Sequence, residues 1–257
     1  MVKEKEFVMR MALLVPSRER MAGKTSLAES IANTVDDIKN VSLYFGIDDD
    51  DPTKPEAIKL AVRYPFIKIV EIHNNGKFDG LGKLWNICAR ASNEEIIAMI
   101  GDDMEFKTKF WDTKILEEFN TTHCPKDNVK MVYCYDGRHG HKIAVNAFIH
   151  RRYMEINGYF MREEFRVDFI DLWLQQVFSA LGRIRYRGDI HIEHNHWSFG
   201  KMAVDNVAKN LRGNNYPSIS QQLWRDLISE RVKEVEKIAK VINVKPDFRK
   251  IDGAIPG

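Results

Sequence analysis

Two adjacent carboxylates, Asp102 and Asp103, directly follow the apolar segment EIIAMIG (95–101), which puts them at the tip of a strand. Held that close, two anions repel, and a divalent cation relieves the repulsion while leaving coordination sites for diphosphate oxygens. A solvated turn would explain an isolated Asp-Asp equally well. The acidic run Asp48 to Asp51 at the end of another apolar segment shifts the balance toward a site. His194-Asn195-His196 follows a third strand-like segment, so its two imidazoles share a face and either would add nitrogen ligation to a carboxylate-bound metal. Taken alone, such a pair more often decorates a surface. Asp168 and Asp171 lie three apart at a helix start and share a face, although capping and dipole compensation account for at least one of them.

Two better-known motifs are excluded by a single residue or two. Gly23-Lys24-Thr25 resembles the end of a phosphate-binding loop, but the glycine required five residues earlier is Arg18. The Asp run fails as a calcium hand because its sixth position is Thr53 and its twelfth is Lys59.

The elements that must carry these residues alternate. Strands are expected over 8–15, 41–47, 66–72 and 95–101, and helices over 25–38, 55–63 and 81–91, the pattern of an α/β protein with a mostly parallel sheet flanked by helices. Ligands of such sheets bind beyond the carboxyl ends of the strands. There the sequence places Ser17-Arg18-Glu19-Arg20, the Asp run, His73-Asn74-Asn75-Gly76 and Gly101-Asp102-Asp103. The second half reads as a helix over 109–119, strands over 129–135 and 142–149, a helix over 168–181 and two short strands, 183–187 and 189–194. This half is mixed or antiparallel and holds most of the histidines, six of the eight within 138–196, so it would complete the site from the other side. From Ser218 to Ile242, apolar residues recur at helical spacing, which marks one long amphipathic helix that packs on the domain or on a second subunit.

Length and composition narrow the function class. With 257 residues, 44% hydrophobic and 30% charged, the chain is a folded globular protein of one large α/β domain or two small ones. Its longest apolar runs, Met11 to Val15 and Ile96 to Ile100, are far short of the roughly twenty residues that cross a bilayer. The first residues mix Lys and Glu and lack a signal-peptide core, so the expected compartment is the cytoplasm. Three cysteines with no CxxC pair read as reduced, structural thiols. A net charge of +2 does not announce a nucleic-acid binder.

The order of these motifs resembles the family 2 glycosyltransferases of the GT-A fold, more closely the small phage and bacterial members. LLVPSRER is similar to their first strand and Pro-Ser/Thr-Arg turn, and GIDDDDP to the second-strand aspartate that holds the nucleoside. Gly80-Leu81-Gly82-Lys83 followed by Asn86 resembles the glycine-rich turn and helix near the donor. IGDDME resembles a variant of the metal-binding DXD motif, in which Asp102 and Asp103 are adjacent and the third position read from Asp103 is Glu105. AFIHRRYMEINGYF is similar to the acceptor-side segment, and FRVDFIDLWLQQVFSALGRIRYRGDIHIEH to the helix with an acidic start that leads to a strand and a histidine. The resemblance covers roughly residues 10–200.

It implies a GT-A domain over 1–217, divided into a nucleotide-sugar half (1–107) and an acceptor half (108–217), with a helical extension over 218–257. It implies metal-dependent, inverting transfer of a sugar from a nucleotide diphosphate donor, a UDP-sugar by preference, to an acceptor hydroxyl. Asp102, Asp103, His194 and His196 would hold Mn2+ or Mg2+. Pro16, Arg18, Asp48, Asp49, Asp50, Gly82, Lys83, Asn86 and Asp102 would contact the donor. Asp171, ahead of Asp168, would be the catalytic base. The acceptor would be a glycan or, if Arg183, Arg185 and Arg187 meet phosphates, hydroxymethylated DNA in a phage-infected host. A homodimer through the C-terminal helix is the expected assembly. Nucleotidyl transfer and a non-catalytic nucleotide-sugar or nucleic-acid binding module are the alternatives.

Overall fold

Strand β1 (Met11–Pro16) shows how the core is built. Met11, Leu13 and Val15 join one hydrophobic cluster, while Ala12 and Leu14 join another on the opposite face. A strand apolar on both faces belongs in a sheet covered by helices on both sides. The computed structural model describes residues 9–73, 78, 80–120, 122–196, 200, 209 and 213–253.

The other strands are β2 (Val41–Asp48), β3 (Ile67–Ile72), β4 (Ile96–Met99), β5 (Met104–Phe106), β6 (Met131–Tyr135), β7 (Ala147–His150) and β8 (Ile184–His194). They form one sheet in the order β3-β2-β1-β4-β7-β6-β8-β5. β1 pairs in parallel with β2 and β4, β2 with β3, and β6 with β8; β7 runs antiparallel to β4 and β6, and β5 antiparallel to β8. One face is covered by α1 (Met21–Thr34), α2 (Lys54–Arg63) and α4 (Trp111–Phe119). The other is covered by α3 (Leu81–Ala91), α5 (Arg152–Asn157), α6 (Ile170–Ala180) and α8 (Ile228–Ile242), which follows α7 (Tyr216–Asp226). The expected α/β class and mostly parallel sheet are therefore present. β2 and β4 lie on opposite sides of β1, so the strand order reverses there, and a crevice lies at the carboxyl edge of that point.

Three expectations need correction. The segments 183–187 and 189–194 are one continuous strand, β8, which continues through Gly188. The helix expected over 218–242 is two, because the backbone at Leu227 (φ −93°, ψ 18°) leaves the helical region. That break separates the largely exposed α7 from α8, whose Arg231, Glu234, Val235, Ile238 and Ala239 are buried, and one straight rod could not follow both courses. The strand expected over 142–149 is confined to Ala147–His150, after a run of turns. The apolar face of α8, expected to meet the domain or a second copy, packs into the chain's own core through Val235, Ile238 and Ala239. Among the described residues, no helix is long and apolar enough to cross a membrane.

Candidate active site

The crevice holds a cleft of about 650 Å3 whose lining includes Pro16, Arg20, Asp102, Asp103, Asp171 and His194. These residues come from four separate segments of sequence, and the sheet is what gathers them.

Asp102 ties the crevice together. It is 5% exposed, accepts a hydrogen bond from Ser17 Oγ and receives Arg20 Nη1 at 3.0 Å, so the loop after β1 is anchored to the loop after β4. Burial pushes its pKa up against the opposing charge of Arg20, and the neighbouring charge of Asp103 pushes the same way. Asp103 faces elsewhere. The three residues of β5, directly after the pair, bond antiparallel to β8 with Met104 opposite His194, and Asn195 N donates to Asp103 O at 2.8 Å. That pairing sets His194 Nε2 3.4 Å from Asp103 Oδ1. Burial alone would raise the Asp103 pKa, but the imidazole and the positive charge of Arg20 outweigh it and hold the carboxylate below its ordinary value. In the same contact burial draws His194 down, and Asp103 more than restores it, so the ring ends above its ordinary pKa. The His196 ring lies 5.2 Å from that of His194, on the same wall.

Among the described residues no ready-made group of three metal ligands exists. The Asp103 carboxylate and the His194 imidazole nonetheless fit a divalent cation of the Mn2+ type, which takes mixed oxygen and nitrogen ligands and fills its remaining positions with water and substrate oxygens.

Asp171 enters the cleft from the first turn of α6. Its Oδ1 accepts from Leu172 N at 2.8 Å. Burial raises its pKa, helped by the charge of Asp168 and opposed by that hydrogen bond and by His139. Asp168 also lines the cleft but is exposed. Between them Phe169 adopts a left-handed conformation (φ 72°), which is strained for a bulky residue.

The expected donor residues divide. Pro16 lines the cleft. Arg18, Asp48, Asp49, Asp50 and Lys83 are not part of its lining. Arg18 binds Asp48 at 2.9 Å and also Asp50, while Asp49 meets His73 Nδ1 at 3.0 Å. Asp51 turns inward, where it accepts from Glu19 N and Thr53 N and so joins the loops after β1 and β2.

Gly82 and Asn86 have a structural task. Asn86 is fully buried; its amide donates to Met161 O and Glu163 Oε1 and accepts from Phe160 N and Met161 N, which fills all four of its positions. A Cβ on Gly82 would collide with Arg162 O, and one on Gly80 (φ 95°) would sit 3.0 Å from Arg166 Cα. The glycine motif thus grips the chain over 160–166, just ahead of Asp168 and Asp171. The arginine stripe is also occupied: Arg183 pairs with Asp127 at 3.1 Å, Arg187 with Asp189 at 2.7 Å and Glu118 at 3.0 Å, and Arg185 lies 3.9 Å from Glu118.

Among the cleft-lining residues that sequence reasoning missed are Arg20, Trp85 and Phe169. Arg20 was visible only as part of a polar turn. Trp85, whose Nε1 donates to Leu14 O at 3.0 Å, and Phe169 have the composition of core residues, and only the fold turns them toward the crevice.

Neither a family model nor a curated protein sequence matches the chain. Solved structures do. The chain is similar to S. aureus TarS 1–349 in complex with UDP, with 12% identity, a TM-score of 0.57, and coverage of 72% of this chain and 60% of that one. The mannosyltransferase PcManGT from Pyrobaculum calidifontis, in complex with GDP-Man and Mn2+, matches with 14% identity and a TM-score of 0.58 over 98% of this chain and 78% of that one. GalNAc-T7 with UDP, GalNAc and Mn2+ matches with 8% identity and a TM-score of 0.57 over 74% and 44%. The fold is GT-A. The chain spans 60% of the length of TarS 1–349, and at these identities the likeness is one of fold.

Proposed function

We propose that the chain is a metal-dependent, inverting glycosyltransferase of the family 2 type that moves a sugar from a nucleotide diphosphate donor, a UDP-sugar by preference, to a hydroxyl of a glycan acceptor. The observation that carries the reading is a single cleft at the carboxyl edge lined both by the Asp103–His194 pair and by Asp171 from another segment. The complexes of TarS, PcManGT and GalNAc-T7 with UDP, GDP-Man and Mn2+ support the donor class and the metal.

Asp103 and His194 would hold Mn2+ or Mg2+, with His196 beside them. The cation's contribution when bound is Lewis-acid neutralisation of the departing diphosphate. Asp102, pinned by Ser17 and Arg20, orients the turn that presents Asp103. The Arg18–Asp48–Asp50 cluster and Asp49, at the end of β2, would take the nucleoside, and Lys83 would meet donor phosphate charge. Asp171 accepts the acceptor proton as the new glycosidic bond forms at the anomeric carbon and the bond to the diphosphate oxygen breaks. A raised pKa suits that task, because a stronger base drives the transfer better so long as it remains ionised at working pH. Trp85 and Phe169 give the cleft aromatic faces of the kind that line ligand pockets. A glycan is favoured over DNA as acceptor because Arg183 and Arg187 are already committed to carboxylates, and DNA binding draws on unneutralised cations.

A panel of nucleotide sugars with and without Mn2+ tests this. The expected result is consumption of one donor only with metal, release of a nucleoside diphosphate, and inversion of anomeric configuration by NMR. Release of pyrophosphate would identify nucleotidyl transfer, and binding without turnover would identify a binding module.

A further inference from the structure

The strained residue between the two cleft carboxylates is held from outside its own segment. The Phe169 ring stacks on Trp224 of α7 with centroids 5.3 Å apart and planes 30° from parallel. Trp224 is fixed in turn by Arg231 of α8, whose guanidinium carbon lies 3.6 Å from the Trp224 ring centroid and 5.0 Å from that of Trp173 on α6. Arg231 is fully buried. Among the described residues its Nε and Nη1 have no hydrogen-bond partner, and its Nη2 has only a long contact of 3.4 Å to Asp252 O. Such burial is costly, and the two indole faces, together with the charges of Asp252 and Glu234, are what offset it. The same helix pair reaches the cleft directly, because Pro217 of α7 is part of the lining. Tyr216 beside it packs against Phe78 and the Arg166 guanidinium.

We propose that Trp224, locked by Arg231, is a positioning residue for the segment 168–171, and that α7 and α8 are therefore a working part of the active site. The left-handed backbone at Phe169 starts α6 and aims Asp171 into the cleft, and Trp173 N closes the first turn on Phe169 O at 2.9 Å. Without the Trp224 ring the strain at Phe169 relaxes, the first turn frays, and the carboxylate loses its direction. The role of Asp171 as base rests on the reading under Proposed function; the mechanical coupling does not.

The test compares Trp224→Ala, Trp224→Phe and, as a control for general destabilisation, Ile238→Ala, which removes a fully buried side chain from α8. Hydrogen exchange at the Leu172 and Trp173 amides and steady-state kinetics with the donor are both measured. Trp224→Ala is expected to speed that exchange at least about tenfold and to lower kcat by roughly 10- to 100-fold with donor KM within about twofold, the scale of loss that a displacement near 1 Å brings. Trp224→Phe should recover most of both, and Ile238→Ala should lower stability without either effect. Exchange that speeds up and kcat that falls in the two alanine variants alike, or effects that Trp224→Phe fails to rescue, would overturn the proposal. If exchange responds as expected but the wild-type protein transfers no sugar, the coupling stands and the glycosyltransferase reading falls.

Discussion

Glu234 on α8 and Asp103, in the turn between β4 and β5, are both carboxylates largely withdrawn from solvent, and their surroundings are opposite. Glu234 receives Tyr153 Oη at 2.6 Å, Asn157 Nδ2 at 2.9 Å, Trp173 Nε1 at 3.0 Å and Tyr159 Oη as well. Asp112 on α4 is treated alike: fully buried, it takes Asp36 N at 2.7 Å, Asp37 N at 3.1 Å and Asn40 Nδ2 at 3.2 Å. Asp103 instead stands beside a second carboxylate, with one imidazole at 3.4 Å. Carboxylates of the first kind have their lone pairs filled by neutral donors and hold elements together. A carboxylate of the second kind stands beside a like charge and lines a cleft, an arrangement that a bound cation would complete.

The largest expected effect follows from that contrast. Asp103→Asn should reduce transfer by at least about 10³-fold, because the developing charge on the leaving diphosphate loses its stabilisation, while thermal stability changes far less, since relief of the repulsion with Asp102 offsets the lost pairing with His194. A thermal melt paired with an activity assay checks both halves. Glu234→Ala should do the reverse: it strands four buried donors and should cost about 3 kcal/mol in urea unfolding, with the turnover of the folded fraction affected far less.

Asp171→Asn should lower kcat about 10²-fold with donor binding intact. Its pH behaviour sharpens the point. A base with a raised pKa is lost as pH falls through that value, so the wild-type acid limb should lie above the ordinary carboxylate range, and the limb should vanish in Asp171→Asn. A limb at the ordinary position, or one that survives the substitution, would move the role to Asp168 or elsewhere.

The smallest effect concerns a carboxylate of the satisfied kind at the opposite edge of the sheet. Glu94 receives Tyr44 Oη at 3.0 Å and Asn93 N at 3.0 Å. Burial would raise its pKa, but the Ser42 hydroxyl, backbone donors, Lys68 and Tyr44 outweigh this and hold it at about 2, below its ordinary 4.5. A depressed carboxylate stabilises the fold above its unfolded pKa and loses that contribution as pH falls through the folded value. On the order of 2 to 3 kcal/mol should therefore disappear between roughly pH 4.5 and 2, and Glu94→Gln should flatten that slope in denaturant titrations.

The parallel half of the fold was legible because β1, β2 and β4 are apolar runs closed by polar turns, and the sheet rule then placed the site at their carboxyl ends. β5 and α5, at three and six residues, are too short to show a period. Yet β5 is what brings His194 to Asp103. The packing tasks of Gly82 and Asn86 are not legible in the sequence, because a glycine that avoids a backbone 80 residues away looks no different there from one that makes room for a ligand. The stacking of Trp224 on Phe169 depends on a break at Leu227 for which no proline or glycine gives warning.

The central claim, that Asp103 and its imidazole neighbour form a metal-dependent diphosphate site, is tested most directly by calorimetric titration of UDP and GDP into wild-type protein and Asp103→Asn, each with Mn2+ and with EDTA. Binding of one nucleotide to wild-type protein with Mn2+ alone, lost on chelation and lost in Asp103→Asn, is the predicted result. Equal affinity with and without the metal, or in the presence and absence of the Asp103 carboxylate, would contradict it.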